Sequence, residues 1–176
     1  VECPDVFTQG NYQYLIYSNI KMRQVQYKYR PIGATDWTTP AQPNLDDIAF
    51  YAGKTASDGT HRYIWGWIPT RETYSDGGAY GWGGSLAVHQ LVQNPDGTLN
   101  VKMPAAFDSK PAVSTSLGSV ALDNNTRVFG RLNKGFNKIV TKIKANTATE
   151  FGLIFGACGS QLETYQINLN LNKQQL

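Results

Sequence analysis

The residues best suited to chemistry are carboxylates near the start of the chain and aromatic residues beside glycines. Glu2 is followed by Cys-Pro-Asp, and Asp46 is followed by a second aspartate. Carboxyl groups placed in this way can donate and accept protons during catalysis. Trp65 precedes a glycine, and Trp82 lies in the glycine-rich stretch 77–84. Because glycine lets the backbone approach a ligand closely, a neighbouring ring face can stack on the apolar face of a sugar.

Each of these residues also has an ordinary structural interpretation. A glutamate near the start of a chain is by default an exposed carboxylate. Asp46 beside another aspartate suits a turn, and aromatic residues dominate protein cores. Residue type alone leaves both interpretations open for Glu2, Asp46, Tyr51, Trp65 and Trp82.

Cysteines and histidines are too few for a metal centre. Cys3 and Cys158 are the only thiols, and His61 and His89 are the only imidazoles. None of them falls into the ligand spacing of a structural zinc site. Two cysteines exclude a disulfide-dense scaffold, and their pairing is not readable from the sequence. The pattern of a serine-hydrolase nucleophile elbow is also absent.

The composition excludes several classes of protein. Charged residues make up 16% of the 176 residues and aromatic residues 12%, whereas disordered chains combine high net charge with few aromatics. The net charge of +3 is not gathered into a basic patch, so we expect no nucleic-acid partner. The sequence has no apolar run of about 20 residues, so we expect no membrane span. The chain opens on Val1 without a signal peptide, which suggests a cut N-terminus.

Alternation of apolar and polar residues dominates the first part of the chain and predicts short antiparallel strands. The glycine-rich stretch 77–84 is expected to be a loop that carries Trp82. No helix of three turns or more is expected within residues 1–105. The predicted strands lie near residues 12–18, 23–30, 48–54, 62–68, 85–93 and 98–103.

A seam without any pattern lies at residues 104–115, where two prolines and small polar residues suggest a domain crossing. Beyond it, the segments 136–145, 150–157 and 165–171 are of β type. They are too few for a complete β-sandwich, which typically has about seven strands. We therefore place one domain at residues 1–107 and a partial sandwich at residues 108–176.

Several motifs follow one another in an order that resembles the second half of glycoside hydrolase family 32, the family of invertases, levanases and inulinases. Each motif alone is weak, and the resemblance depends on their common order. The matching segments are Glu2–Phe7 (E-C-P-D-V-F), Phe50–Thr55 (F-Y-A-G-K-T), Arg62–Trp67 (R-Y-I-W-G-W), Gly81–Leu86 (G-W-G-G-S-L) and Asp96–Leu99 (D-G-T-L).

The resemblance implies an all-β fold in which the last blades of a five-bladed β-propeller precede part of a β-sandwich. It also implies that Glu2 is the general acid/base and that Asp46 matches a carboxylate beside it. Tyr51, Trp65 and Trp82 are then expected to line the sugar pocket. Trp67, which alternation places on the same strand face as Trp65, is a further candidate. The nucleophilic and transition-state-stabilising aspartates of the family lie in W-M-N-D-P-N-G and R-D-P motifs, which this chain lacks. We therefore expect a C-terminal fragment that needs the missing N-terminal part of the same protein.

The activity implied is hydrolysis of β-fructosidic bonds, as in levan, inulin or sucrose, with retention of configuration. Such hydrolysis needs no metal and no organic cofactor, and a secreted, periplasmic or cell-surface location is expected. Two departures from the family pattern, Ile48 in place of a glycine and the triplet Val88-His89-Gln90, affect specificity or activity. The alternatives are a non-catalytic sugar-binding or scaffold protein on a decayed propeller, and a related propeller glycosidase acting on arabinosides.

Overall fold

A computed structural model describes residues 1–75, 77–107, 113–128, 130–131, 137–155 and 165–173. The chain divides into two compact units, Val1–Ser109 and Lys110–Leu176. The described residues form an all-β protein of antiparallel sheets, with two short 3-10 helices at Glu72–Tyr74 and Ala105–Phe107. In this part of the chain, no helix has the length and apolar character needed to cross a membrane.

The first unit begins with a three-stranded sheet in which neighbours in sequence are neighbours in space. Its strands are β1 (Glu2–Gln9), β2 (Tyr12–Asn19) and β3 (Gln24–Pro31), in the order β1-β2-β3. Alternate residues of β2 are buried, with Tyr14 and Ile16 fully enclosed. One face of this sheet therefore packs into the core, as strict alternation predicts.

A four-stranded sheet completes the first unit. Its strands are β4 (Tyr51–Ser57), β5 (Arg62–Arg71), β6 (Tyr80–Gln93) and β7 (Leu99–Lys102), again in sequence order. Ile64 of β5 and Leu91 of β6 are buried, and they pack with the apolar residues of the first sheet in one hydrophobic core. Such meandering sheets arise when each strand pairs with the next through a short connection.

Close packing between the two sheets depends on one glycine and two tyrosines. A Cβ at Gly53 would lie within 3 Å of side-chain atoms of Val25 and Ile64, so only glycine permits this approach. The hydroxyl of Tyr14 donates to the carbonyl of Gly97 at 2.7 Å, and the hydroxyl of Tyr27 accepts from the amide of Leu99 at 2.8 Å. Both tyrosines thereby bury their polar ends with partners.

The described residues of the second unit form one hairpin, in which β8 (Glu150–Phe155) pairs with β9 (Tyr165–Asn170). The alternation in residues 165–171 predicted β9 closely. Residues 113–128 and 137–145, by contrast, form no strand, so the expected strand at 136–145 is wrong for the residues described. Some of their apolar side chains, such as Val140, are exposed. Alternation in one segment does not provide the second strand with which it would have to pair.

Two further differences concern the first unit. The strand β1 was not predicted, because Pro4 interrupts its pattern. Between Glu2 and Asp5 this strand also has one residue more than the facing segment of β2. The glycine-rich stretch is not a loop as expected, since β6 begins at Tyr80 and includes Trp82. A Cβ at Gly84 would collide with the carbonyl oxygen of Ile68. Glycine at this position therefore lets β6 pair with β5.

Candidate functional site

Two β-bulges place the side chains of the site. The pairing of β1 with β2 shifts between Glu2 and Asp5, and the pairing of β4 with β5 shifts between Tyr51 and Lys54. Within these bulges Cys3 and Ala52 adopt left-handed conformations, with φ of 50° and 54°. Bulges redirect side chains and are frequent beside active sites. Both strands therefore depart from regular geometry at the point where Glu2 and Tyr51 meet.

Glu2 and Tyr51 form the central contact. The Tyr51 hydroxyl donates to Oε2 of Glu2 at 2.7 Å. Burial, followed by this hydrogen bond to the carboxylate, raises the pKa of Tyr51 to about 12. Tyr51 is therefore protonated at neutral pH and acts as a hydrogen-bond donor to Glu2. One carboxylate oxygen of Glu2 is thus occupied by Tyr51.

Further hydrogen bonds fix the relative position of β1 and β4. The amide of Thr55 donates to Oδ2 of Asp5 at 2.7 Å, and Nζ of Lys54 donates to the carbonyl of Pro4 at 2.5 Å. The amide of Ala52 donates to Oγ of Ser18, a fully buried residue, at 3.1 Å. Hydrogen bonds of the charged side chains of Lys54 and Asp5 therefore join β1 to β4 beside the Glu2–Tyr51 contact.

Three aromatic rings, Tyr51, Trp67 and Trp82, form what we call the aromatic cluster. Their centroids lie 5.8 Å apart for Tyr51 and Trp67, 6.3 Å for Tyr51 and Trp82, and 6.0 Å for Trp67 and Trp82. Tyr51 is 6% exposed, whereas Trp82 is 74% exposed. The cluster thus runs from the buried partner of Glu2 to an indole that faces water, a surface on which an apolar ring face can stack.

A cleft opens beside the aromatic cluster. Two of its lining residues, Arg23 and Ala49, have left-handed backbones with φ of 52° and 91°. Its enclosed volume is about 40 Å³, far below the roughly 300–1,000 Å³ of small-molecule pockets. The cleft formed by the described residues is therefore too small to enclose a small-molecule ligand by itself. The lining consists of Ile20, Arg23, Ala49, Tyr51, Trp67, Pro69 and Trp82.

Asp46 lies in a different pair. Its Oδ2 atom is 2.7 Å from Nε2 of His89, and the His89 ring packs 5.0 Å from Phe50. The hydrogen bond to His89 holds the pKa of Asp46 below its ordinary value. Its Oδ1 atom accepts from the amide of Asp47 at 2.7 Å, and within the described part of the chain Asp46 forms no bond with Glu2. The Asp46–His89 pair ties the β3–β4 connection to β6.

Of the five predicted site residues, the structure brings Glu2, Tyr51 and Trp82 together. The Trp65 ring instead contacts Tyr63, with centroids 5.8 Å apart. Trp67 and Arg23 also lie at the site. The sequence indicated Trp67, because alternation places it on the same strand face as Trp65. Arg23 lies in the turn between β2 and β3, and no pattern pointed to it.

No group of three or more metal-ligating side chains occurs among the residues that the structure describes. No model of a known protein family matches the chain, and no curated protein sequence matches it.

Proposed function

We propose that the chain is part of a retaining glycoside hydrolase that acts on β-fructosides, with Glu2 as general acid/base. The observation that carries this proposal is the hydrogen bond from Tyr51 to Glu2, made at two adjacent bulges and beside an exposed tryptophan. A carboxyl group held in this way beside a sugar-stacking surface suits proton transfer to a glycosidic oxygen.

Glu2 would act in two steps. With Oε2 engaged by Tyr51, the other oxygen of Glu2 carries the proton that passes to the leaving oxygen as the glycosidic bond breaks. The resulting carboxylate then removes a proton from the water that hydrolyses the glycosyl ester. The ester forms on an aspartate that the family resemblance places in a part of the protein outside this chain, at about 5–5.5 Å from Glu2. Trp82 would hold the fructosyl unit or its neighbour by stacking.

The two sheets of the first unit would be successive blades of the five-bladed propeller. Their meandering strand order, with three and four antiparallel strands, suits blades, which are four-stranded antiparallel sheets. The β8–β9 hairpin would belong to the C-terminal sandwich. In this arrangement the aromatic cluster and Glu2 lie at the end of the blades that faces the propeller axis, where the missing walls of the cleft would come from other blades.

The test compares two substrates in the intact protein that contains this chain. Glu2→Gln should slow cleavage of a sucrose-type substrate by about 10²–10⁴-fold, the usual value of positioned acid–base catalysis. An aryl fructoside, whose leaving group departs without protonation, should lose less in the cleavage step. Glu72→Gln, a change at an exposed carboxylate of the first unit, is the matched control and should keep wild-type rates. Wild-type turnover of the sucrose-type substrate by Glu2→Gln would refute the proposal.

A non-catalytic sugar-binding protein is the second candidate, and one observation favours it. Asp46, expected to stand beside the acid/base, is bonded to His89, which leaves Glu2 with Tyr51 as its side-chain hydrogen-bond partner among the described residues. Such a protein would bind fructosides through Trp82 and release them unchanged. Fructoside binding that Trp82→Ala abolishes, with no turnover by the wild-type protein, would decide for this alternative.

A further inference from the structure

A second concavity, which we call the distal groove, lies at the opposite end of β1 from Glu2. Gln9 at the end of β1 lines it, seven residues from Glu2, or about 23 Å at the usual rise of a strand. Its volume is about 520 Å³, within the range of small-molecule sites. The groove is thus separate from the aromatic cluster and larger than the cleft beside it.

The lining of the distal groove is rich in hydrogen-bond donors. Arg62 and Lys102 bring two permanent cations, and hydroxyl and amide side chains fill most of the remainder. None of the described residues that line it is acidic, and none is a tryptophan, tyrosine or phenylalanine. The nearest carboxylate of the adjoining turn, Asp58, accepts from the backbone amides of Thr60 and His61 and is thereby occupied.

Gln90 gives the strongest indication that the groove holds a ligand. It lines the groove and is only 5% exposed, yet its side-chain amide makes no hydrogen bond with any residue that the structure describes. Among the described residues, the enclosed side-chain atoms without a partner are Oε1 of Gln9 and Oε1 of Gln24, so the amide of Gln90 is accessible from the groove. A polar ligand seated there would take the place of water at this amide.

Two side chains that line the groove, Arg62 and Gln93, are held in place by contacts within the protein. The guanidinium of Arg62 lies 4.2 Å from the ring centre of Phe7, and its Nη1 donates to Oγ1 of Thr55 at 3.0 Å. Gln93 is held by its Nε2 atom, which donates to the carbonyl of Gln9 at 2.9 Å. Burial lowers the pKa of Arg62, and the charge of nearby Asp5 acts in the opposite direction. The guanidinium has five N–H donors, of which the bond to Thr55 uses one. A preorganised donor set of this kind lowers the ordering cost of binding.

We propose that the distal groove binds an anionic sugar, whose carboxylate or phosphate is held by Arg62 and Lys102 and whose hydroxyl groups pair with Gln90. Planar guanidinium matches both oxyanions, and the lack of a stacking ring disfavours a neutral sugar as ligand. This site goes beyond the proposed fructoside site, and it operates whether or not Glu2 is catalytic.

Calorimetric titration of the intact protein with three probes tests the proposal. Trigalacturonate carries carboxylates, fructose 6-phosphate carries a phosphate, and kestose is a neutral trisaccharide. We expect one or both of the anionic probes to bind, and Lys102→Gln and Gln90→Leu each to weaken that binding at least about tenfold. Lys21→Gln removes an exposed lysine outside the groove and should leave it unchanged.

The melting temperature of each variant separates loss of the site from loss of the fold. Lys102 is exposed, so its variant should melt as the wild type does, and it alone suffices if Gln90→Leu fails to fold. Binding that shifts from the anionic probe to kestose, equal loss in Lys21→Gln, or no binding of either anion at millimolar concentration would each overturn the proposal. Glycosidase activity should be the same in Lys102→Gln and wild type, which keeps this test independent of Glu2.

Discussion

Two groups of aromatic residues in the first unit lie in different surroundings. The first group lies between the sheets, where Tyr14 and Tyr27 are 0% and 1% exposed and their rings lie 6.5 Å apart. The second is the aromatic cluster, which begins at buried Tyr51 and ends at Trp82, 74% exposed. The first group therefore stays within the core, whereas the second extends from the core to the solvent.

Hydroxyl partners separate the two groups further. Tyr14 and Tyr27 bond to backbone groups of Gly97 and Leu99, and such bonds join one strand connection to a neighbouring sheet. Tyr51 bonds to a carboxylate, a group that can change its protonation state. Aromatic residues whose polar ends meet the backbone therefore stabilise the fold, whereas those that meet a titratable side chain and open to water are candidates for function.

The largest effect that we expect from this comparison is on stability. Tyr27→Ala should lower the free energy of unfolding by about 3–5 kcal/mol, as for other buried aromatic residues, and it would also leave the Leu99 amide without its partner. Trp82→Ala should lower it by no more than about 0.5 kcal/mol, because exposed positions contribute little. Urea denaturation of the two variants beside the wild type gives both values.

An equal decrease in the free energy of unfolding in the two variants would contradict this distinction, since Trp82 would then belong to the core. Tyr29→Phe serves as a control for Tyr27→Ala, because it keeps the ring that packs 6.4 Å from Tyr27 and removes only a hydroxyl. It should cost far less than the alanine substitution.

A smaller effect concerns the Asp46–His89 pair. Its hydrogen bond holds the pKa of Asp46 below 3.8, so the carboxylate stabilises the fold above that pH and the contribution is lost as pH falls through the lowered pKa. Asp46→Asn should therefore be less stable than the wild type by about 1 kcal/mol at pH values above about 5, since the pair is partly exposed. The difference should shrink in acid.

Urea midpoints at neutral and acidic pH measure this difference. Asp36→Asn changes an exposed aspartate in the same connection and should show no such pH dependence. A deficit in Asp46→Asn that persists undiminished in acid would mean that the side chain contributes through packing and not through its charge.

The smallest effect is on the titration of Tyr51. Glu2→Gln removes the carboxylate that contributes to its raised pKa of about 12, so the value should fall toward 10.0, while burial, the larger cause, keeps it above that. Tyr14, whose pKa burial also raises to about 12, is an internal reference and should not move. Carbon NMR of the tyrosine rings at alkaline pH resolves both residues. An unchanged Tyr51 would show that the contact with Glu2 is not made in solution.

The sequence was informative where pattern and position agree. Alternation predicted β2, β3 and β9 within a residue or two, because each presents one face to apolar partners and the other to water. It predicted β4 about three residues too early, since its bulge after Tyr51 breaks the period. Residues 137–145 alternate as well but lie outside any described strand, because alternation does not specify a pairing partner.

The site was only partly predictable for a related reason. The position of Glu2 followed from a short motif, but its bond to Tyr51 joins residues 49 positions apart, and the bond of Asp46 to His89 joins residues 43 apart. Two bulges, in which Cys3 and Ala52 are left-handed, accompany the contact between Glu2 and Tyr51, and no local rule places them. Trp65 and Trp67 share a strand face, yet only tertiary packing decides that Trp67 meets Tyr51.

The most direct test of Glu2 as acid/base is chemical rescue of Glu2→Ala in the intact protein, with an activated aryl fructoside and added azide. Removing the acid/base leaves the second step of a retaining enzyme without its base, and azide needs no base to attack the glycosyl ester. The account predicts that azide restores turnover and that the product is a fructosyl azide with the β configuration of the substrate. Wild-type turnover without azide, or an azide product of inverted configuration, would contradict it.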